Sequence, residues 1–217
     1  MRYITFKDEH RQRHFDFFLA MDQPHSGLTA DVDITNFAQL VRKSADLRFS
    51  PALIYLLSRV AHEIPVFCQR IRKGGQVVEH DRVDPSFSVP TKASTVFSFC
   101  TVEYHADPKI FHQAAIDKVA EMQENPSFSD EPGRDDYLFM SAMPWVSFTS
   151  LTHAMPIPAD SVPRISWGKY YDREDRRLMP LAVQAHHGLV DGRDIGAYYQ
   201  LIQRFLDHPE EIFADFT

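Results

Sequence analysis

The sequence predicts an α/β fold, a two-layer sandwich of helices on a mixed, largely antiparallel sheet. Three observations point there. Segments with apolar residues at helical spacing alternate with segments of period two along the whole chain. One helical segment, Ala52-Leu53-Ile54-Tyr55-Leu56-Leu57, is apolar on nearly all sides and must lie between other layers. No GxGxxG follows a strand, which sets aside the doubly wound dinucleotide fold.

The elements follow in order. Residues 10–21 place Phe15, Phe18 and Leu19 at i, i+3 and i+4, an amphipathic helix. Residues 28–34 alternate apolar and polar as a half-buried strand, after which Thr35 can cap a helix to about Arg48. Ser50-Pro51 starts the next helix, a hydroxyl cap followed by proline, which ends near Ile64-Pro65. Gly74-Gly75 is a turn between two short strands. Strands are predicted at 87–89, 96–104, 137–142 and 146–151, with a helix over 108–123 carrying Ile110, Ala114, Ile116, Val119 and Met122. Residues 125–135, rich in Pro, Ser, Asp, Glu and Gly, read as a mobile loop of the kind that borders a site. Residues 164–171 and 177–185 read as two strands joined by a charged turn. A helix over 191–206 then buries Ile195, Tyr198, Tyr199, Ile202 and Phe205.

The 217 residues, 44% hydrophobic and 24% charged, suit a single domain over 1–217 that buries a full core without staples. The net charge of −7 and the lack of a basic stripe argue against nucleic acid and against an anionic membrane face as partners. Cys68 and Cys100 stand alone, which excludes a disulfide framework or a Cys-rich zinc site and fits a reducing compartment. The first ten residues include Arg2, Lys7, Asp8 and Glu9 and lack an apolar h-region, and no apolar run approaches ~20 residues, so a cytoplasmic, soluble protein is expected.

Between the last strand and the last helix sits His186-His187-Gly188-Leu189-Val190-Asp191-Gly192. A strand here delivers two histidines to a tight turn, and adjacent strand residues point to opposite faces, so only one can enter a given cleft. The same divergence makes a metal reading poor, and no metal is expected. Asp191 at the helix start can satisfy free N–H groups, while Gly188 and Gly192 let the backbone bend around an imidazole. Histidine titrates nearest neutrality and is suited to take a proton from an attacking hydroxyl or thiol. The oxyanion formed by such an attack needs a fixed donor, and the stretch from Ser141 to Phe148 is the place to look for it.

The matching segments are Arg-x-x-His-Phe at residues 11–15, Asp33-Ile34-Thr35, Val83-Asp84-Pro85, Ser141-Ala142-x-Pro144-Trp145, Gly168-Lys169-Tyr170, and residues 180–187 followed by Asp191-Gly192. On these the chain resembles the type-A chloramphenicol acetyltransferases over essentially its whole length. The resemblance implies a CoA-dependent acyltransferase fold, acetyl-CoA as co-substrate, and a homotrimer with active sites between subunits. The implied activity is O-acetylation of the 3-hydroxyl of chloramphenicol, hence antibiotic resistance. By position it makes His187 the general base and Ser141 the oxyanion donor, with Asp191 paired to Arg11 to fix the surroundings of the imidazole. Trp145, Ser166, Lys169, Tyr170 and Arg48 match cofactor-side positions. Phe18 and Phe97 match acceptor-side positions, Phe18 standing where the family has Tyr. Departures gather on the acceptor side, in residues 22–28 and 90–93. They leave open another small hydroxylated or thiol acceptor, or an inactive trimeric binding protein.

Overall fold

In a computed structural model describing residues 1–128 and 131–216, the chain runs β1 (Arg2–Ile4), α1 (Glu9–Leu19), β2 (His25–Asp33), α2 (Thr35–Lys43), α3 (Phe49–His62), β3 (Gln69–Arg72) and β4 (Gln76–Glu79). It continues through β5 (Asp84–Pro90), β6 (Phe97–Thr101), α4 (Pro108–Glu124), β7 (Tyr137–Met143), β8 (Arg164–Gly168), β9 (Tyr171–Arg173), β10 (Arg176–His186), α5 (Gly192–Asp207) and the short α6 (Glu210–Phe213). A large sheet has the order β2-β10-β8-β7-β5-β6, with β9 also paired to β10, and β1-β4-β3 form a small antiparallel sheet. Strand β7 lies between β5 and β8 and is parallel to both, while the other pairs of the large sheet are antiparallel. The expected mixed α/β sandwich is what forms.

Alternation along the strands sorts the two faces of the large sheet. Leu181, Val183 and Ala185 of β10, Ile165 and Trp167 of β8, Leu138 and Met140 of β7, and Phe87 and Val89 of β5 enter one core. That core is closed by α3, whose Leu53, Leu56, Leu57 and Val60 are fully buried and which packs on α4, α5 and β5. Removing one such leucine side chain costs about 2–5 kcal/mol. The opposite face carries Ser88, Ser141, Ser166, Ala182, Gln184 and His186. A parallel pair needs a crossover of a dozen or more residues. The β7–β8 connection, residues 144–163, makes that crossover as a strap laid on the polar face.

Several boundaries differ from the expected ones, each for a local reason. Residues 146–151 form no strand, because Lys169 N donates to Val146 O at 2.9 Å and holds the segment as part of the strap. Helix α2 stops at Lys43, where the Ser44 hydroxyl accepts from Asp46 N and Leu47 N and ends the helical ladder. Asp33, rather than Thr35, receives the donors at its start, from Thr35 N at 2.9 Å and from the Thr35 hydroxyl. Helix α3 begins at Phe49, before Ser50, with no side-chain cap. Strand β6 ends at Thr101, since Asp84 Oδ1 captures Tyr104 N at 2.8 Å. Part of the expected mobile loop, residues 129 and 130, lies outside the described residues. In the part described, Arg134 bonds Asp136 at 2.6 Å and also Asp84 and Glu131. None of the described helices is long and apolar enough to cross a membrane.

Candidate active site

Strand β10 ends at His186, which registers with His25 of β2, and His187 enters the following turn. His187 N donates to Pro24 O at 2.8 Å, while Leu189 N and Val190 N close the turn onto His186 O. A Cβ on Gly188 would meet the His186 ring at 3.0 Å, a tight contact that glycine avoids. Gly192 shows no comparable crowding and simply opens α5. The two histidines diverge as the strand geometry demands. His186 is buried, faces the His25 ring at 5.4 Å, accepts from Gly188 N at 3.1 Å, and is pushed down to about 4 by burial.

His187 faces helix α1 instead. Its ring stacks on Phe18 at 4.1 Å and 20°, and His14 meets it edge-on at 5.5 Å. These two side chains stand four residues apart, one helical turn, and so share the face that α1 turns to the histidine. His187 Nδ1 is buried without a hydrogen-bond partner among the described residues, which leaves Nε2 as the nitrogen a substrate hydroxyl can reach. Arg11 lies against the His14 Nδ1 at 3.1 Å and donates to Leu189 O at 3.1 Å. Desolvation first, then Arg11 and His187, holds the His14 ring below its ordinary value and therefore neutral.

The Arg11–Asp191 pairing expected from sequence does not form. Asp191 Oδ1 accepts from Arg193 N at 2.7 Å and Asp194 N at 3.2 Å, and Asp194 Oδ2 accepts from Asp191 N at 3.0 Å. This reciprocal capping box occupies the carboxylate at the start of α5. Arg11 acts on the turn through Leu189 O, and the acidic charges of Asp194 and Asp191 reach it only through space.

Ser141 lies on the polar sheet face. Its hydroxyl is 3.2 Å from that of Ser88 on β5, and in the β7–β8 register it stands directly beside Ser166. Ser166 is buried in the single chain, and its Oγ is 2.7 Å from His153 Nε2 on the strap. Phe97 of β6, two strands from Ser141 on the same face, clusters with Phe99 and Phe128 at 5.6 and 5.2 Å. Neither Ser88 nor His153 was singled out by the sequence.

At the C-terminal ends of the parallel strands a groove of about 610 Å³ opens between α3, α4 and the sheet, lined by Ile54, Val119, Pro144, Lys169, Tyr170 and Met179 among others. Its walls are mainly apolar, with Lys169 at hand for a negative group. Arg48 lines an adjoining groove of about 1000 Å³ with Lys43, Lys109 and His112, and Ile116 belongs to both. Trp145, 80% exposed, stands outside these walls. Gly168 lets the strap cross tightly, since a Cβ there would meet Pro180, Phe148 and Val146 O at 2.8–2.9 Å.

The predicted residues thus fall into two groups. Arg11, Phe18, His187 and Asp191 gather at one end of the sheet. Ser141, Ser166 and Phe97 lie on its polar face, with Lys169 and Tyr170 at the far end. In register, Ser141 pairs with Ser166 and Ser166 with Ala182, so His187, one residue past the end of β10, stands five residues further along the chain. That is roughly 16 Å along the strand and roughly 10 Å across two strands, a separation near 20 Å.

The family model for chloramphenicol acetyltransferase matches residues 1–203. The chain is 34% identical over 199 residues to a chloramphenicol acetyltransferase from Klebsiella sp, covering 91% of this chain and 90% of that one. It is 31% identical over 198 residues to one from Proteus mirabilis, with the same two coverages. Among solved structures, a chloramphenicol acetyltransferase superposes with a TM-score of 0.82 at 28% identity, over 94% of this chain and 99% of that one. A probable dihydrolipoamide acetyltransferase from Listeria monocytogenes 4b F2365 shares the fold, with a TM-score of 0.70 at 13% identity over 96% and 95% of the two chains. The chain belongs to the chloramphenicol acetyltransferase family.

Proposed function

We propose that this protein is an acetyl-CoA-dependent O-acetyltransferase that acetylates the 3-hydroxyl of chloramphenicol, and that its active sites form between copies of the chain in a homotrimer. The observation that carries the assembly is the separation of His187 from Ser141. A base and an oxyanion donor about 20 Å apart cannot serve one acyl group, which needs both within hydrogen-bond reach. His187 at one end of the sheet of one copy, set against the polar face of the next, brings the two groups together. Repeated head to tail, that contact closes a ring of identical sites.

In each site His187 takes the hydroxyl proton as the hydroxyl oxygen bonds the acetyl carbonyl carbon. Ser141, with Ser88 behind it, donates to the oxyanion. When the carbonyl re-forms and the carbon–sulfur bond breaks, His187 returns the proton to the departing CoA sulfur. Phe18 fixes the plane of the His187 ring by stacking, and Arg11 fixes the turn that carries it. The apolar groove suits a long, flexible thioester arm. Lys169 at the groove and Lys43, Arg48 and Lys109 in the adjoining one suit its phosphates. Cys68 and Cys100, both free and buried, suit a reducing cytoplasm, where the enzyme would confer resistance.

The test is CoA release on mixing the purified protein with acetyl-CoA and chloramphenicol. Turnover is expected, with loss of at least ~10³ in kcat for His187→Ala and ~10²–10³ for Ser141→Ala. Absence of wild-type turnover overturns the acceptor, and an unchanged Ser141→Ala removes that residue from the mechanism.

A further inference from the structure

We propose that His153, on the strap between β7 and β8, is a positioning residue for acyl transfer: it holds the Ser166 hydroxyl so that Ser166 and Ser141 present two donors side by side to the developing oxyanion. The inference rests on the reading of Ser141 as oxyanion donor.

Two neighbouring strands create the arrangement. Ser141 and Ser166 are register partners on parallel β7 and β8, so their side chains leave the sheet on the same face about 4.8 Å apart. A serine hydroxyl alone rotates freely, and a donor that must find its direction during the reaction loses much of its value. Ser166 is not free. Its Oγ lies 2.7 Å from His153 Nε2.

His153 is itself pinned at both ends. Its backbone N donates to Gln184 Oε1 at 2.8 Å, and Gln184 belongs to β10, the strand on the other side of Ser166. The residue is thereby tied to β8 through its ring and to β10 through its backbone. Burial and the Arg164 charge hold the imidazole below its ordinary value, so it is neutral and carries one ring proton. In the tautomer with that proton on Nε2, the ring donates to a Ser166 lone pair, and the Ser166 O–H then points away from the ring and is available on the face it shares with Ser141. The reaction asks nothing covalent of His153; the effect passes through Ser166.

The experiment compares kcat and KM for His153→Leu, His153→Gln, Ser166→Ala and the double variant His153→Leu with Ser166→Ala, alongside Ser141→Ala. Gln can place an amide N–H near the imidazole Nε2 position, whereas Leu keeps bulk without a donor. His153→Leu is expected to lower kcat about tenfold with KM changed less than twofold, and His153→Gln to recover most of it. The double variant is expected to be no slower than Ser166→Ala alone, because both changes remove one device. An unchanged kcat in His153→Leu overturns the proposal, and so do additive losses in the double variant. If His153→Leu does not fold, judged by its melting curve, the same cycle is run with His153→Gln and Ser166→Ala; a Gln variant as slow as Ser166→Ala then refutes it. Failure of the underlying reading is separate, since it would show as an unaffected Ser141→Ala.

Discussion

Asp191 separates two accounts of how the catalytic turn is held. If its carboxylate acted by pairing with Arg11, removing the charge would suffice to damage the site. In the structure it instead accepts two backbone N–H groups at the start of α5, while Asp194 returns a bond to Asp191 N. Asn accepts such bonds almost as well as Asp, whereas Ala leaves the donors unpaired. Asp191→Ala should therefore cost about 1–2 kcal/mol, the range for losing a helix cap. Asp191→Asn should cost less than about 1 kcal/mol, chiefly the lost attraction of the charge for the helix N-terminus. For a chain of this size, 1 kcal/mol corresponds to a melting shift of about 2–4 °C. Parallel thermal melts and CoA-release assays on the two variants test this. Near-normal stability and activity for Asn, with both reduced for Ala, is expected. Equal and large losses in both would show that the charge matters and that the cap does not explain the residue.

Two further outcomes follow from particular contacts. Gly168→Ala forces a methyl against Pro180, Phe148 and Val146 O at 2.8–2.9 Å, and overpacking of this kind costs about 1–3 kcal/mol. A lowered melting temperature with a raised KM for acetyl-CoA is expected, since Lys169 follows directly; an unchanged melt would contradict the crowding. The rings of His25 and His186 are both pushed down to about 4, by burial first and then, for His25, by the His186 charge. Between about 4 and the unfolded value near 6.5 the unfolded chain binds more protons, so stability is complete above about pH 6.5 and falls toward pH 4. The loss should reach about 2–3 kcal/mol for the buried His186 ring, reduced from the full linkage value by partial solvent screening. Urea midpoints at pH 7.5 and pH 5 should differ less in His25→Phe than in the wild type. An identical pH response in that variant would remove the histidine pair as its source.

How much of this was legible in the sequence depended on how local each feature is. The β10-turn-α5 segment could be read because strand period, double histidine, turn glycine and capping Asp are consecutive, and the structure builds them as one unit. Divergence of His186 from His187 followed from strand geometry alone. Helix limits failed where a side chain distant in sequence intervened, as when His112 Nε2 takes Arg48 N at 2.9 Å just before α3. The strap was misread as a strand because Val146 and Phe148 alternate with Ser147 and Thr149, and so short an alternation cannot say whether ladder partners exist. Ser88 and His153 were illegible for the same reason. Each acts by touching a serine 53 or 13 residues away, a relation only strand register creates. The Arg11–Asp191 pairing was implied by resemblance, and the capping box that displaces it needs Asp194, whose part no motif marked.

The central claim, that each active site draws His187 from one copy and Ser141 from another, has a direct test. His187→Ala and Ser141→Ala proteins, each inactive alone, are unfolded together, refolded as mixed oligomers and assayed for CoA release with chloramphenicol. In a ring of three, each mixed assembly contains one junction with both groups intact, so roughly one quarter of wild-type activity should return. Activity no greater than that of the two variants assayed separately would contradict a site shared between copies.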